Sequence, residues 1–339
     1  MKVKTKASNP LASCLRIYFT NHLPRMCGVS AHTVQSYRDS LVLLFRFVAT
    51  RRKCQVADLD LDNVDSAHVA AFLNHLEEGR GNRTSTRNVR LSAIHAFFRY
   101  ASAHHPEHLE RIQKILSIPF KRAPERVIEY LEYEEIEAVL SHIPRQSKDG
   151  RRDYVLLGTM FNTGARVQEV VNLRACDLQL IKPFQARFLG KGKKERFCPL
   201  WPQTARLLRT HCEELGLDLR SEARIFVNHR KEPLTRFGVR YILAKHLRCA
   251  QQKVPTLARK RLHPHSMRHS TAVALLKSGV DFATISQWLG HSSPNTTMRY
   301  ARVDLEMKRQ AIAKIKPLVT RRASDWRGNS SILEWLEAL

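Results

Sequence analysis

The chain has 339 residues, 57 Lys and Arg against 31 Asp and Glu, and a formal net charge of +26. That is length enough for two ordinary domains, and 43% hydrophobic residues with 8% aromatics exclude a wholly disordered basic chain. Residues 1–120 hold 17 basic and 9 acidic side chains and the remainder 40 and 22, so both parts are basic (+8 and +18) and each is expected to face a polyanion, with nucleic acid the first candidate.

Residues 1–116 are expected to form a helical bundle. A segment before Pro24 reads as its first helix. Ser30 can cap a second, with Val34, Tyr37, Leu41, Leu44, Phe45 and Val48 at 3- and 4-residue spacing. Asp65 or Ser66 can cap a third over Val69, Phe72, Leu73 and Leu76. Ser85 is read as opening a fourth through Val89, Ile94, Phe97, Phe98 and Tyr100. On that last helix Arg83, Arg87 and Arg90 would line one polar face, a solvated stripe or a phosphate-binding one. Between them, Asp58-Leu59-Asp60-Leu61-Asp62 starts like a calcium loop, but Asn63 stands where the loop needs glycine and Val69 where it needs the closing Glu. A polar connection between helices is the better reading.

Residues 117–126 contain SIPFKRAPER, whose two prolines and lack of apolar periodicity mark a linker. From 127 to 316 the pattern turns mixed. A helix ends near Thr163-Gly164, and alternation around Ala186–Leu189 and Glu195–Cys198 flanks the turn Lys191-Gly192-Lys193-Lys194, which predicts a β-hairpin. Helices are expected after Pro202, Thr235, Ser266, Asp281 and Pro294. The remaining 317–339 form a tail, where Ile332, Leu333, Trp335, Leu336 and Leu339 could make an apolar helix face that docks on its own chain or on a neighbouring protomer.

Several chemistries fall away. The seven cysteines form no CxxC pair, no GxxxxGK[ST] spacing implies ATP, and no apolar run approaches the ~20 residues that span a bilayer. MKVKTKASNP lacks the apolar core of a signal peptide, so a cytoplasmic, nucleoid-associated location is expected. His263, His265 and His269 suggest zinc, but Arg268 among them repels a divalent ion and no carboxylate or thiolate is near in sequence. No metal and no cofactor are expected.

What remains is Arg166, Lys191, His265, Arg268, His291 and Tyr300, individually ordinary residues that together suit one chemistry. When an oxygen nucleophile attacks a phosphodiester, charge builds on the non-bridging oxygens, where two guanidiniums can clamp them. Histidines can bond the same oxygens and relay the nucleophile's proton, and a lysine can protonate the departing 5′-oxygen. A tyrosine nucleophile keeps the bond energy in a phosphotyrosyl ester.

These residues carry a resemblance. Thr163-Gly164-Ala165-Arg166-Val167-Gln168-Glu169 resembles the first arginine box of the tyrosine recombinase (phage-integrase) family, which includes Xer-type and mobile-element site-specific recombinases. Leu189 to Arg196 is similar to its lysine-bearing hairpin, His265-Ser266-Met267-Arg268-His269 to its H-x-x-R box, and Leu289-Gly290-His291 through Tyr300 to its nucleophile box. Met267 stands where Leu is commoner and Glu132 where Ser or Thr is usual. The resemblance implies a mainly α chain with a small β-sheet: an N-terminal SAM-like core-binding domain and a mixed α/β catalytic domain that together clamp duplex DNA. It implies recombination sites in double-stranded DNA as partner, a homotetramer on paired sites, alone or with a related recombinase, and service to a mobile element. Tyr300 would be the nucleophile and Lys191 the general acid, in preference to Lys193 and Lys194, which would contact DNA as Arg83, Arg87 and Arg90 would. His269 is read as a packing and hydrogen-bonding residue, not a catalyst. Two other readings stay open: a type IB topoisomerase-like nicking and sealing enzyme, and a catalytically idle DNA-binding module.

Overall fold

The computed structural model describes residues 9–124, 128–190, 194–291 and 294–302. The linker end, the turn residues Lys191 and Lys193, and the tail 317–339 lie outside the described residues. The chain divides into two compact units, Met1–Arg126 and Val127–Leu339.

Among its described residues the first unit has helices and no strand. α1 (Pro10–Ile17) is capped by Asn9, whose side chain accepts from the Ala12 amide, and runs on as a wider helical segment, Tyr18–Met26. That segment passes through Pro24, so the chain does not stop there as the sequence suggests. Bonds to earlier carbonyls, such as Cys27 N to His22 O and Val29 N to Leu23 O, bridge the proline's missing donor. α2 (Ala31–Arg52) starts at the expected Ser30 cap, and α3 (Ser66–Glu78) at Asp65, whose carboxylate accepts from the His68 amide at 2.8 Å. α4 (Thr84–His104) begins one residue earlier than Ser85, after Arg83 and without a side-chain cap. α5 (Leu109–Leu116) is an additional short helix closing the bundle. Leu44, Val48, Val69, Leu73, Ile94 and Phe97 are fully buried where these helices meet. Between α2 and α3, Leu59 and Leu61 point into that core while Asp60 accepts the Leu61 and Leu11 amides.

The expected arginine stripe on α4 is not a uniform one. Arg83 is exposed, but Arg87 is 5% exposed and donates to the Pro119 carbonyl and the Asn88 side chain. Arg90 is half-buried beside Ser40. The helical period that puts 83, 87 and 90 on one side also turns that side toward residues 118–121, which pack over it: Asn88 and Glu77 hold Lys121. Arg87 is therefore withdrawn from the DNA-facing set.

The second unit packs helices around a three-stranded antiparallel sheet of order β1-β2-β3, formed by Leu178–Gln179, Gln185–Leu189 and Glu195–Pro199. The hairpin expected from alternation is β2–β3, with Ala186 opposite Cys198 and Phe188 opposite Arg196. Ala186, Phe188 and Cys198 are buried on its inner face. Ahead of it come α6 (Tyr133–Ser141), α7 (Lys148–Thr163) and α8 (Val167–Val171). After it come α9 (Pro202–Glu214), α10 (Arg236–Gln251), α11 (Pro264–Lys277), α12 (Phe282–Leu289), α13 (Pro294–Met298) and, last among the described residues, a 3₁₀ turn, Arg299–Arg302. Among the described residues, no helix is long and apolar enough to cross a membrane.

Two glycines bring distant turns of the second unit together. Gly164 ends α7 at φ +58°, and a Cβ there would come within 2.5 Å of Leu289 Cδ2. Gly290 ends α12 at φ +65°, where a Cβ would stand 3.0 Å from Arg196 Cδ. Both left-handed caps let the chain approach itself closely at one place.

Candidate active site

That place gathers Arg166, Glu169, Arg196, Arg268, His269, His291 and Tyr300. Beyond the Gly164 cap the chain turns into α8, whose first turn is held by the Glu169 carboxylate, which accepts from the Arg166 amide and from Arg166 Nη1 at 2.8 Å each. Arg166 Nη2 donates to the Gly290 carbonyl at 3.2 Å. Arg268, on the first turns of α11, donates to the Gly164 carbonyl at 2.7 Å and to the Leu289 carbonyl at 2.6 Å. Two guanidiniums from distant parts of the chain thus end on consecutive carbonyls, 289 and 290, with donors to spare. Burial, and then the neighbouring Arg166, pull the Arg268 pKa down to about 10, still charged at neutral pH.

One carboxylate serves both sides. Glu169 is buried, and its second oxygen accepts from Arg196 Nη2 at 2.7 Å, while Arg196 Nε donates to the Trp288 carbonyl. Its burial opposes ionisation, but the bonds from Arg196 and Arg166 outweigh that and hold its pKa below the usual carboxylate range.

Tyr300 is 2% exposed, packed against Ala272, Val273, Leu276, Ile285 and Leu289. Burial raises its pKa, against the opposing pull of Arg268 and Arg299. Its hydroxyl meets His269 Nδ1 at 2.9 Å. His291 lies with its ring nearly parallel to the phenol at 6.4 Å and pairs its Nδ1 with Thr297 Oγ1 at 2.7 Å. Burial, then neighbouring groups (Arg268 and Arg166 for His291; His265 and His263, followed by Arg299 and Arg268, for His269), bring both imidazoles down to about 4, so both are neutral at pH 7. His265 stands exposed at the mouth of this group. Loss of solvent around the ring, then His263, Arg268 and Arg166, lower its pKa. Among the described residues no group of three or more His, Cys, Asp or Glu side chains gathers as metal ligands would.

Of the sequence-predicted residues, the structure brings Arg166, Arg268, His291 and Tyr300 together, with His265 at the edge. Lys191 and Lys193 lie outside the described residues, and Lys194 is exposed at the turn end of the hairpin, its carbonyl accepting from the Gly190 amide. Sequence reasoning missed Glu169 and Arg196 and set His269 aside. Glu169 stands three residues after the residue preceding its helix, the spacing of a capping box. Arg196 shares the inward face of its strand with Cys198, and an inward arginine on a strand signals a buried partner. It also missed the exposed face of α10, where Arg236, Arg240, Lys245 and Arg248 alternate with Phe237 (67% exposed) and Tyr241 (65%).

Chemically the group is a cationic, hydrogen-bonding cradle beside a buried phenol. Residues 129–307 match the phage integrase family profile, and residues 17–105 match the N-terminal SAM-like domain of phage integrases. The chain belongs to the phage integrase family. It is a tyrosine recombinase, mainly α with a small sheet and a SAM-like first unit. A Sinorhizobium fredii protein named as an integrase/recombinase, y4rC, is 36% identical over 97% of this chain and 98% of its own length. The tyrosine recombinase XerC of Staphylococcus haemolyticus is 27% identical over 89% and 97%. This recombinase also shares its fold with the XerH site-specific recombinase in a post-cleavage complex with palindromic difH substrate, at a TM-score of 0.66, 21% identity and coverage of 92% of this chain and 90% of that one. The Tn1549 transposon integrase with a circular intermediate DNA gives a TM-score of 0.66 at 15% identity, covering 89% and 99%.

Proposed function

We propose that this recombinase cuts and rejoins duplex DNA at paired specific sites on behalf of a mobile element. Tyr300 Oη attacks a backbone phosphorus, the 3′-phosphotyrosyl ester forms, and a 5′-hydroxyl is released that exchanges with its partner strand. Arg166 and Arg268 clamp the non-bridging oxygens, His265 and His291 add hydrogen bonds there, and Lys191 delivers a proton to the departing 5′-oxygen. The observation that carries the reading is the pair of guanidiniums fixed on the 289–290 carbonyls beside the buried Tyr300. Arg268, held by two backbone carbonyls, keeps its charge uncancelled, and Arg166, which shares the Glu169 carboxylate with Arg196, keeps donors free for a phosphate.

Arg83, Arg90, Lys193 and Lys194 remain candidates for backbone contacts, and the basic-aromatic face of α10 suits a groove of the duplex. Four protomers on two sites, of this chain alone or together with a related recombinase, fit the chemistry, since exchange needs four strands cut. The mobile-element role is supported by the integrase/recombinase name of the Sinorhizobium relative and by the likeness to a transposon integrase.

The test uses the purified protein and a supercoiled plasmid carrying two copies of the DNA that flanks its own gene. Recombinant circles are expected. Relaxed topoisomers without recombinants would instead identify a nicking and sealing enzyme, and site binding without any covalent adduct an idle module.

A further inference from the structure

The imidazole within hydrogen-bond reach of the Tyr300 hydroxyl is neither His265 nor His291 but His269. α11 explains how: His265 and His269 lie four apart on one helix side with Arg268 beside them, so successive turns present one cation to the phosphate position and one ring to the phenol. His291 is committed to Thr297 and faces the phenol ring, not its oxygen.

We infer that His269 Nδ1 receives the Tyr300 proton as the Oη–P bond forms, which makes His269 a catalytic residue acting on the reacting oxygen itself. This rests on Tyr300 being the nucleophile. In the forward step the O–H proton passes to Nδ1 and Oη bonds phosphorus. The P–O5′ bond breaks, its electron pair stays on the 5′-oxygen, and that oxygen takes a proton from the general acid, Lys191. In the reverse step the incoming 5′-hydroxyl returns its proton to that acid, and imidazolium His269 reprotonates the departing phenolate.

The surroundings fit the task. The cationic and buried environment keeps His269 in the neutral, accepting form, while burial keeps the resting phenol protonated. A bound phosphodiester brings the negative charge that favours the imidazolium, so proton transfer is tied to DNA arrival and the free enzyme holds an unreactive nucleophile.

His269→Asn decides the matter, because the Asn side chain can still accept a hydrogen bond from the phenol but cannot take its proton. His269→Ala is prepared beside it. On a suicide duplex carrying the core site, both should bind DNA within a few-fold of wild type and form the covalent adduct about 10²-fold more slowly. Incorporating trifluorotyrosine at position 300, whose phenol ionises more readily, should then speed His269→Asn at least ~10-fold more than it speeds the wild type. A purely positioning or packing role predicts no such selective rescue. Cleavage by His269→Asn at the wild-type rate, or equal acceleration of both proteins by trifluorotyrosine, overturns the inference. Tyr300→Phe runs in parallel: an adduct from that variant would remove the underlying reading, whereas its absence beside a fully active His269→Asn would remove only the role of His269.

Discussion

Glu169 and Arg196 join the first arginine segment to the hairpin: Nη2 of Arg196 lies 2.7 Å from a carboxylate oxygen of Glu169, and both side chains are nearly excluded from solvent. The other carboxylate oxygen holds Arg166, so one buried anion sets the position of two cations. Glu169→Ala should therefore destabilise the second unit by about 3 kcal/mol or more, since it strands two guanidiniums. Glu169→Gln, which keeps part of the bonding, should cost less. Denaturant unfolding read out on both variants checks the order. Equal stability of Glu169→Ala and wild type would show that the pair is not structural.

Arg268 holds two carbonyls and, in the proposed reaction, one phosphate. Arg268→Lys supplies a charge but no planar fork, so adduct formation should fall ~10² or more while site binding changes little. Arg166→Ala should lose a similar factor. Single-turnover cleavage on a suicide duplex measures both, and unchanged rates would take that residue out of the reaction.

Acid should weaken the fold in two stages. His269 and His291 are held near 4 in the native state but titrate near 6.5 when unfolded, so above about 6.5 they contribute nothing to pH dependence. As pH falls from about 6.5 to about 4, the unfolded chain binds protons that the native one refuses, and stability drops; His265 and His211 act in the same direction. Glu169 and Asp153, held below their ordinary range, keep their contribution until the pH reaches their unfolded values, about 4, and lose it on further acidification. The fall in unfolding free energy between pH 7 and pH 5 should be smaller in His269→Asn than in wild type. An identical fall would show that His269 is not held neutral.

The bundle helices, the hairpin and the helix starts at Thr235 and Asp281 were legible in the sequence because each is local: a cap residue and a 3.6- or 2-residue apolar period suffice. The site was legible as a set of residue types and intervals. Its wiring was not. Arg87 had the right spacing for a polar stripe, but residues 118–121 cover it, a tertiary event that no period encodes. Glu169 and Arg196 pair across 27 residues, and His269 finds Tyr300 across 31, through turns set by Gly164 and Gly290. Proline in the first helix read as a stop, yet wider backbone bonding carried the helix past it.

Lys191 is the proposed proton donor to the leaving oxygen. With a 5′-bridging phosphorothiolate the leaving group needs no proton, so Lys191→Ala should be rescued by it far more than wild type is accelerated. Rescue of Lys193→Ala instead would move the role within the turn.

In the proposed reaction Tyr300 becomes covalently joined to DNA. A suicide duplex with the core site, incubated with wild-type protein, should yield an adduct whose proteolytic peptide carries a nucleotide on Tyr300, identified by mass spectrometry. Tyr300→Phe should bind the same duplex within a few-fold and yield none. An adduct on any other residue, or one that persists in Tyr300→Phe, would contradict the account.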